Sequence, residues 1–335
     1  KLESRFVYVE VEKPGTIFSH KGINLLGVEV SSEVITAKDK QDLKFGLTQN
    51  IDYVALSFVK GPEHIRALRK LIPRRKQVLV VSKIERVEAV KNFKGILEET
   101  DGVMIARGDL GIELPPEDVP LIQKQLIQDC LTAAKPVIVA TQMLESMMVN
   151  PRPTRAEVSD VANAVIDHTD AVMLSGETAN GKYPVEAVQM MTRIIEKTEP
   201  SPFDDLPEAF FQHDPSDTQH GIAHSAYELA RDTKAKVIVA ASFSGRTARL
   251  ISRFRPHTPV LVLTDNPKTQ QHLALVWGVE SVLIPKVKNL DALVDHMVRL
   301  VKKMGLAEKG QKIVIVSGHP VREEEQMNAV KVHTL

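Results

Sequence analysis

Lys83, Glu85 and Asp109 are the residues of this sequence whose types and spacing best suit metal-assisted chemistry. Lys83 and Glu85 lie two positions apart, so they would share one face of an extended strand. Asp109 follows the next apolar segment, and the carboxyl ends of neighbouring parallel strands meet at one edge of a sheet. Two carboxylates together with substrate oxygens are usual ligands of Mg²⁺. We therefore expect Glu85 and Asp109 to bind one cation beside the Lys83 ammonium group.

The stretch from residue 78 to residue 111 has the pattern of a strand, a helix, a strand and a turn bounded by glycines. A β-branched run at 78–81 comes first, Val87, Val90, Phe93 and Ile96 recur at helical spacing, and apolar character resumes at 103–105. A Lys-x-Glu pair alone is more often a surface ion pair. The turn at 107–111 favours a binding site, because its glycines admit a close approach and its amides could open a helix towards an anion.

Five apolar strands, each followed by an amphipathic helix, are predicted at 53–59, 78–82, 102–106, 136–140 and 171–174. Capping boxes at Thr36–Asp39 and Thr154–Glu157 mark two helix starts. Polar side chains follow the carboxyl ends of the strands, where βα barrels build their active sites. Strands also end in polar residues simply because they meet water there, which is the simpler interpretation for Ser57. Besides Ser57, the polar residues at the carboxyl ends of the strands are Lys83 with Glu85, Arg107 with Asp109, Thr141 with Gln142, and Ser175 with Glu177.

A proline-rich polar stretch at 198–219 separates these units from a second block of regular structure. We predict a linker at 201–215 and a compact α/β domain at 216–335. Its strands are expected at 237–241, 260–263, 282–284, 313–316 and 329–334. The alternating residues at 6–12 predict a half-exposed strand near the amino terminus.

Composition excludes several classes of protein. Lys plus Arg and Asp plus Glu both count 43, so neither nucleic acid nor a membrane surface is an expected partner. No apolar run approaches the length of a membrane span, and no signal-peptide pattern opens the sequence, so we expect a soluble, cytoplasmic protein. The single cysteine, Cys130, falls on the apolar side of a helix and is expected to be packed rather than reactive. No His or Cys cluster has metal-binding spacing, which disfavours a zinc site.

Four long runs resemble the pyruvate kinase family. They are SKIE at 82–85, ARGDLGIELP at 106–115, ATQMLESM at 140–147 and PRPTRAEVSDVANAVIDHTDAVMLSGETANGKYP at 151–184. The resemblance extends through the second domain and implies the glycolytic transfer of a phosphoryl group from phosphoenolpyruvate to ADP, giving pyruvate and ATP. It also implies Mg²⁺ (or Mn²⁺) and K⁺ as cofactors and a homotetramer as the assembly.

The resemblance implies roles for particular residues. Lys83 would neutralise the phosphoryl group in flight, and Glu85 and Asp109 would be the metal ligands. The amides of Gly108 and Asp109 would bind the substrate carboxylate, and the hydroxyl of Thr141 would lie near the enolate carbon. We hypothesise that Thr141 orders the water chain that protonates this carbon. Three further residues are expected to support this site, namely Arg107, Ser175 and Glu177.

Members of this family resemble eight-stranded βα barrels, of which this sequence shows the last five βα units. Residues 1–21 resemble the tail of a β domain inserted into that barrel, and residues 22–200 form the partial barrel. The resemblance implies that three parts of the site lie outside this sequence: the arginine that binds the phosphate, the K⁺ ligands and most of the nucleotide lid. We therefore expect negligible activity from residues 1–335 alone.

The second domain contains a loop that resembles the sugar-phosphate effector site of the family. Its candidate phosphate ligands are Ser242, Ser244, Gly245, Arg246 and Thr247. Phe243 stands where some members have lysine, and the acidic loop at 318–325 would repel a bisphosphate, so a monophosphate is the preferred effector. Two alternatives stay open: a lyase- or aldolase-type barrel that binds phosphoenolpyruvate, and a non-catalytic fragment that retains only assembly or effector binding.

Overall fold

A computed structural model describes residues 2–3, 6–12, 14–16, 34–203, 206, 217–287, 289–318 and 327–335. The chain divides into two units, Lys1–Glu33 and Val34–Leu335. In the first unit, strand β1 (Leu2–Glu3) pairs antiparallel with β2 (Phe6–Val7). The strand predicted over 6–12 is wrong beyond Val7: Tyr8, Val9 and Val11 are all exposed, so the alternating pattern buries no apolar face there.

The second unit contains a five-stranded parallel sheet, here called the barrel sheet, whose strands neighbour one another in chain order. Its strands are β3 (Tyr53–Leu56), β4 (Leu79–Ile84), β5 (Gly102–Ala106), β6 (Val137–Ala140) and β7 (Ala171–Met173). The five predicted βα units are thus confirmed, although β3 and β7 end earlier than predicted. In β3 the cause is local, because Phe58 has a left-handed φ of 55°, which no extended strand tolerates.

Helices precede, connect and follow the strands of the barrel sheet. They are α1 (Ala37–Gly46), α2 (Pro62–Leu71), α3 (Val87–Lys91), α4 (Phe93–Glu99), α5 (Arg107–Glu113), α6 (Val119–Thr132), α7 (Arg155–Ile166), α8 (Gly176–Ala179) and α9 (Pro184–Thr198). Single 3₁₀ turns occur at Arg74–Lys76 and Glu145–Met148. Both predicted capping boxes are present, since Thr36 and Thr154 each accept a bond from the backbone three residues on while the acidic residue there accepts one from the cap.

Apolar side chains from strands and helices fill the core around the barrel sheet. Val80, Val103 and Val139 are completely buried, as is Cys130 on α6. Burial raises the pKa of the Cys130 thiol well above its ordinary value. A packed, unreactive thiol follows from these surroundings, as the sequence predicts.

The C-terminal sheet has the order β10–β9–β8–β11–β12. Its strands are β8 (Ile238–Ala241), β9 (Val260–Thr264), β10 (Val279–Leu283), β11 (Lys312–Ser317) and β12 (Ala329–Thr334). Only the pairing of β11 with β12 is antiparallel. Strand β10 begins at Val279 rather than at the predicted residue 282, because backbone pairing with β9 accommodates the polar Glu280 and Ser281 at the sheet edge.

Four described helices accompany the C-terminal sheet: α10 (Thr218–Thr233), α11 (Arg246–Ser252), α12 (Pro267–Leu273) and α13 (Leu290–Lys303). Most of the predicted linker at 201–215 lies outside the described residues, and the boundaries predicted at 21 and 200 stay predictions. Within the described ranges, every helix is too short or too polar to cross a lipid bilayer.

Helix α12 packs against the amino end of the barrel sheet. The Tyr53 hydroxyl donates to the His272 carbonyl at 2.6 Å, and the Lys268 ammonium group donates to Asp52 at 2.8 Å. Burial lowers the pKa of the His272 imidazole below its ordinary value, against the opposing influence of Asp52. These contacts join the two sheets into one folded unit.

The low pKa of His272 predicts a pH-dependent stability. The unfolded chain takes up the His272 proton near pH 6.5, whereas the folded protein takes it up at a lower pH, so the free energy of unfolding falls as the pH drops below about 6.5. Urea unfolding at about pH 7.5 and about pH 5.5 should show this loss, and His272→Gln should reduce it. An equal pH dependence in both proteins would contradict the assignment.

Candidate active site

Lys83 and Glu85 lie at the carboxyl edge of the barrel sheet and contact each other. The Lys83 ammonium nitrogen is 2.6 Å from Glu85 Oε1 and donates to the Ser57 hydroxyl at 3.0 Å. Lys83 lies on β4 and Glu85 directly follows the last residue of that strand, and the period-2 alternation of strand side chains accounts for their contact. Ser57, for which the simpler surface interpretation was preferred, thus comes directly into the site.

The Glu85 carboxylate is almost completely buried, with 1% of its side chain exposed. Its second oxygen, Oε2, accepts a bond from the backbone amide of Phe58 at 2.6 Å. The left-handed φ of Phe58 turns the chain after β3 so that this amide can point at the carboxylate. A buried carboxylate is stable only when paired, and the ammonium and amide groups provide that pairing.

The donor chemistry of this edge suits a hard divalent cation. An ionised carboxylate offers about four lone-pair positions, and two of those on Glu85 are used by Lys83 and Phe58. Asp109 lies in the first turn of α5, which begins directly after β5, the strand that neighbours β4. Carboxylate oxygens at neighbouring strand ends match the ligands that Mg²⁺ prefers. The described residues contain no group of three or more His, Cys, Asp or Glu placed for a metal.

Gly108 contacts Thr141 across the edge between β5 and β6. Its backbone amide donates to Thr141 Oγ1 at 2.8 Å, and a Cβ atom at position 108 would lie 3.2 Å from that oxygen. Glycine therefore permits a close approach that a larger residue would crowd. The amide predicted to bind a substrate carboxylate is already hydrogen-bonded here, so a substrate must displace or share the Thr141 hydroxyl.

The backbone after β6 adopts an unusual conformation. Thr141 and Gln142 have φ values of 70° and 56°, and a β-branched residue such as threonine rarely adopts the left-handed region. Arg107 holds this turn, since its guanidinium group donates to the carbonyls of Thr141 at 3.0 Å and Gln142 at 3.2 Å. Asp160 on α7 pairs with the same guanidinium group at 2.6 Å. Strain of this kind persists where the surroundings over-determine it, often at functional sites.

Glu177 joins the loops that follow β6 and β7. Its carboxylate, buried like that of Glu85, accepts bonds from the amide of Leu144 at 3.0 Å and from the amide of Ser175 at 2.8 Å. Both carboxylate oxygens therefore accept hydrogen bonds from backbone amides. Glu177 thus helps to fix the shape of these loops, and the supporting role of Ser175 and Glu177 in the site stays a prediction.

Sequence reasoning missed three polar residues of this region: Arg86, Glu113 and Asp160. Asp160 lies within the run at 151–184, but its partner Arg107 is 53 positions away, so spacing gave no signal. Glu113 accepts bonds from the Arg86 guanidinium group and from the backbone amide of Val87, both at 3.1 Å. The sequence signal that could have indicated Glu113 was its position one helical turn after Asp109, as the last residue of α5.

The candidate effector loop lies between β8 and α11. Ser242 is buried, and its hydroxyl makes no hydrogen bond to the described residues. Gly245 has a φ of 82°, which favours glycine, and Arg246 Nε donates to the Gln219 side chain at 2.8 Å. Of the acidic loop at 318–325, residues 319–325 lie outside the described residues. Effector binding therefore stays a prediction.

Comparison with known proteins places the chain in a family. A family model described as "Pyruvate kinase, barrel domain" matches residues 1–188, and one described as "Pyruvate kinase, alpha/beta domain" matches residues 220–333. The pyruvate kinase of Agrobacterium vitis is 44% identical over 99% of this chain and 70% of that protein. The Clostridium acetobutylicum pyruvate kinase is 41% identical over 100% of this chain and 71% of that protein.

A solved structure gives the same result. The crystal structure of a pyruvate kinase from Cryptosporidium parvum matches with a TM-score of 0.85 and 38% identity, covering 93% of this chain and 64% of that one. The Staphylococcus epidermidis pyruvate kinase is 43% identical, and this chain spans 56% of its length. The chain therefore belongs to the pyruvate kinase family of phosphotransferases.

Proposed function

We propose that the protein transfers the phosphoryl group of phosphoenolpyruvate to ADP, giving pyruvate and ATP, as a cytoplasmic enzyme of glycolysis. The observation that carries the proposal is the Lys83 ammonium group, held 2.6 Å from the buried Glu85 carboxylate at the carboxyl edge of the barrel sheet. Relatives named pyruvate kinase, matched over nearly the whole chain, support it.

Lys83 stabilises charge and does not act as a base. Its ammonium group has three donors, two of which point to Ser57 and Glu85. The third donor is available for an oxygen of the transferring phosphoryl group. Donors already in place when charge moves need no reorganisation, which makes such electrostatic stabilisation effective.

Glu85 and Asp109 would hold Mg²⁺, or Mn²⁺ in its place, and the chemistry supplied there would be neutralisation of negative charge on the phosphoryl and substrate oxygens. The buried environment of Glu85 keeps its carboxylate oriented by Lys83 and Phe58. K⁺ is a second proposed cofactor.

Substrate positioning falls to Gly108, Asp109 and Thr141. The substrate carboxylate replaces Thr141 Oγ1 as the acceptor of the hydrogen bond from the Gly108 amide. It also accepts a hydrogen bond from the amide of Asp109, because amides in a first helical turn lack acceptors within their own helix. The Thr141 hydroxyl then remains bonded to the Ala140 carbonyl at 2.6 Å and is free to accept a bond from water. Water held there is the last of a chain of waters that leads to solvent: it gives a proton to the enolate carbon and takes one back from the next water of the chain.

Replacing Thr141 by alanine should lower kcat by about 100-fold, because a positioned proton-transfer path contributes roughly that much. Thr141→Ser keeps the hydroxyl without the β-branch and serves as the matched control, with turnover close to the parent enzyme. Both variants are measured by coupling pyruvate formation to NADH oxidation. Full turnover by Thr141→Ala would exclude the proposed role.

Glu85→Gln should weaken Mn²⁺ binding by about 100-fold or more, since removing a ligand costs more than removing one of its hydrogen-bond partners. Electron paramagnetic resonance of free Mn²⁺ measures this in the full-length protein without substrates. Unchanged Mn²⁺ affinity in a folded Glu85→Gln variant would remove Glu85 from the metal site.

Pyruvate formation that requires ADP is the direct test of the function, and it is measured, like the turnover of every variant, on the full-length protein rather than on residues 1–335 alone. A lyase- or aldolase-type barrel would release pyruvate without ADP, and a non-catalytic chain would release none. We also propose a homotetramer and a phosphorylated effector at Ser242, Ser244, Gly245, Arg246 and Thr247. Light scattering tests the first, and calorimetric titration with sugar monophosphates tests the second.

A further inference from the structure

We propose that Arg86 and Glu113 form a positioning pair that sets the separation of Glu85 and Asp109 and so determines how tightly the divalent cation binds. The pair touches neither the cation nor the substrate in this scheme. The inference rests on the proposed function, because it takes Glu85 and Asp109 as the two metal ligands.

The first observation is where the Glu113 carboxylate is bonded. Glu113 is the last residue of α5 and lies one helical turn after Asp109, so the two move together. Its Oε1 is 3.1 Å from the Arg86 guanidinium group, and its Oε2 accepts from the amide of Val87 at 3.1 Å. Arg86 and Val87 directly follow Glu85 in the chain. Glu113 therefore ties the helix that carries Asp109 to the segment that carries Glu85.

The second observation is the position of Arg86 over the Phe58 ring. The centre of its guanidinium group lies 5.3 Å from the ring centroid, a cation–π distance. The amide of the same Phe58 donates to Glu85 Oε2 at 2.6 Å. Arg86 thus contacts α5 through Glu113 and the turn after β3 through Phe58, while it adjoins Glu85 covalently. Three chain segments that surround one metal ligand meet at this side chain.

The third observation is that the pair is mostly shielded from solvent but not fully hydrogen-bonded. The side chains of Arg86 and Glu113 are 28% and 21% exposed. Arg86 Nε is buried and makes no hydrogen bond to the described residues, which is unfavourable. Because this unbonded donor offsets part of what the ion pair contributes to folding, we attribute the arrangement to the geometry that it imposes on Glu85 and Asp109.

Metal affinity is the quantity this geometry should control. Groups that orient a metal ligand without touching the metal typically change metal affinity by about 10- to 100-fold when they are removed. The effect should be strong here, because two carboxylates from different segments leave few other protein ligands to compensate. We expect Glu113→Gln to raise the dissociation constant of Mn²⁺ by about 10-fold, and Arg86→Met to raise it by a similar factor.

The experiment is a Mn²⁺ titration of the full-length protein, followed by electron paramagnetic resonance, with thermal unfolding measured on the same samples. Glu99→Gln is the matched control, because it breaks another ion pair between two segments, with Arg66 at 2.9 Å, that involves neither β4 nor α5. The control should keep its Mn²⁺ affinity, and any fall in its thermal stability shows the effect of losing an ion pair between two segments away from the site. The double variant Glu113→Gln/Arg86→Met should bind Mn²⁺ no more weakly than the weaker single variant, because both changes remove one coupling.

The outcomes separate this inference from the proposed function. If Glu85→Gln abolishes Mn²⁺ binding while Glu113→Gln and Arg86→Met change it by less than about two-fold, the pair is only structural and the inference is overturned. If Glu85→Gln leaves Mn²⁺ binding intact, the proposed metal site itself fails. Should Glu113→Gln not fold by circular dichroism, Arg86→Met, which retains an apolar stem over Phe58, decides the question by the same criterion.

Discussion

Replacing Lys83 by methionine should slow turnover by about 10³-fold or more. The transferring phosphoryl group then loses an ammonium group that is held in place beside it, at a site partly shielded from water. Only 25% of the Lys83 side chain is exposed, and Ser57 and Glu85 fix the direction of its ammonium group. Methionine is one atom shorter than lysine, keeps an unbranched apolar stem and removes the charge. The measurement is kcat for ADP-dependent pyruvate formation at saturating metal.

A stability control separates chemistry from folding in this variant. Lys83→Met leaves the Glu85 carboxylate without its cation, and an uncompensated buried charge destabilises the folded state. The double variant Lys83→Met/Glu85→Gln should therefore regain stability and remain inactive. Lys268→Met is the matched control, since Lys268 also donates to a carboxylate, that of Asp52, but on α12. Parent-like turnover by folded Lys83→Met would remove Lys83 from the reaction.

The parts of the site that follow from local rules could be predicted from the sequence. Lys83 and Glu85 contact each other because strand geometry repeats every two residues, and this holds whatever surrounds β4. The order of the barrel sheet follows from short right-handed βα connections between successive strands. Helix starts at Thr36 and Thr154 follow from capping chemistry within four residues. Each of these depends on neighbours in the chain.

The parts that depend on distant partners could not be predicted. The left-handed φ of Thr141 is held by Arg107, and the amide of Gly108 is bonded to the Thr141 hydroxyl, 33 positions away. No spacing rule links Glu113 to Arg86, because the bond depends on where α5 ends relative to β4. Such contacts depend on how side chains from several distant segments pack together, and neither spacing nor composition specifies that packing.

The junction between the barrel sheet and the C-terminal half of the chain is the largest feature that sequence reasoning missed. Asp170, just before β7, pairs with Arg255 at 3.1 Å, and their side chains are only 5% and 4% exposed. The same carboxylate accepts from the backbone amides of Val137 at 3.0 Å and Trp277 at 3.1 Å. The Arg255 guanidinium group also lies 5.3 Å from the Trp277 ring centroid. One buried carboxylate thus accepts a hydrogen bond from a strand of the barrel sheet and contacts two residues of the C-terminal half.

Asp170→Ala should lower the free energy of unfolding by about 3–5 kcal/mol, because it leaves the buried Arg255 charge without its carboxylate partner and two backbone amides without an acceptor. Trp277 is the single tryptophan of the sequence, and its indole donates to Glu199 at 2.9 Å, so its fluorescence reports on this junction directly. Guanidinium unfolding of Asp170→Ala, followed by fluorescence and by circular dichroism, should show the fluorescence change at a lower midpoint, as the junction opens before the sheets unfold.

Asp170→Asn/Arg255→Met should regain part of the lost stability, since the amide oxygen restores an acceptor and the buried charge is gone. Two coincident transitions at the parent midpoint in Asp170→Ala would mean that the Asp170–Arg255 pair does not hold the junction together. A low but coincident midpoint would mean that the two halves unfold as one cooperative unit, with Asp170 supporting both sheets equally.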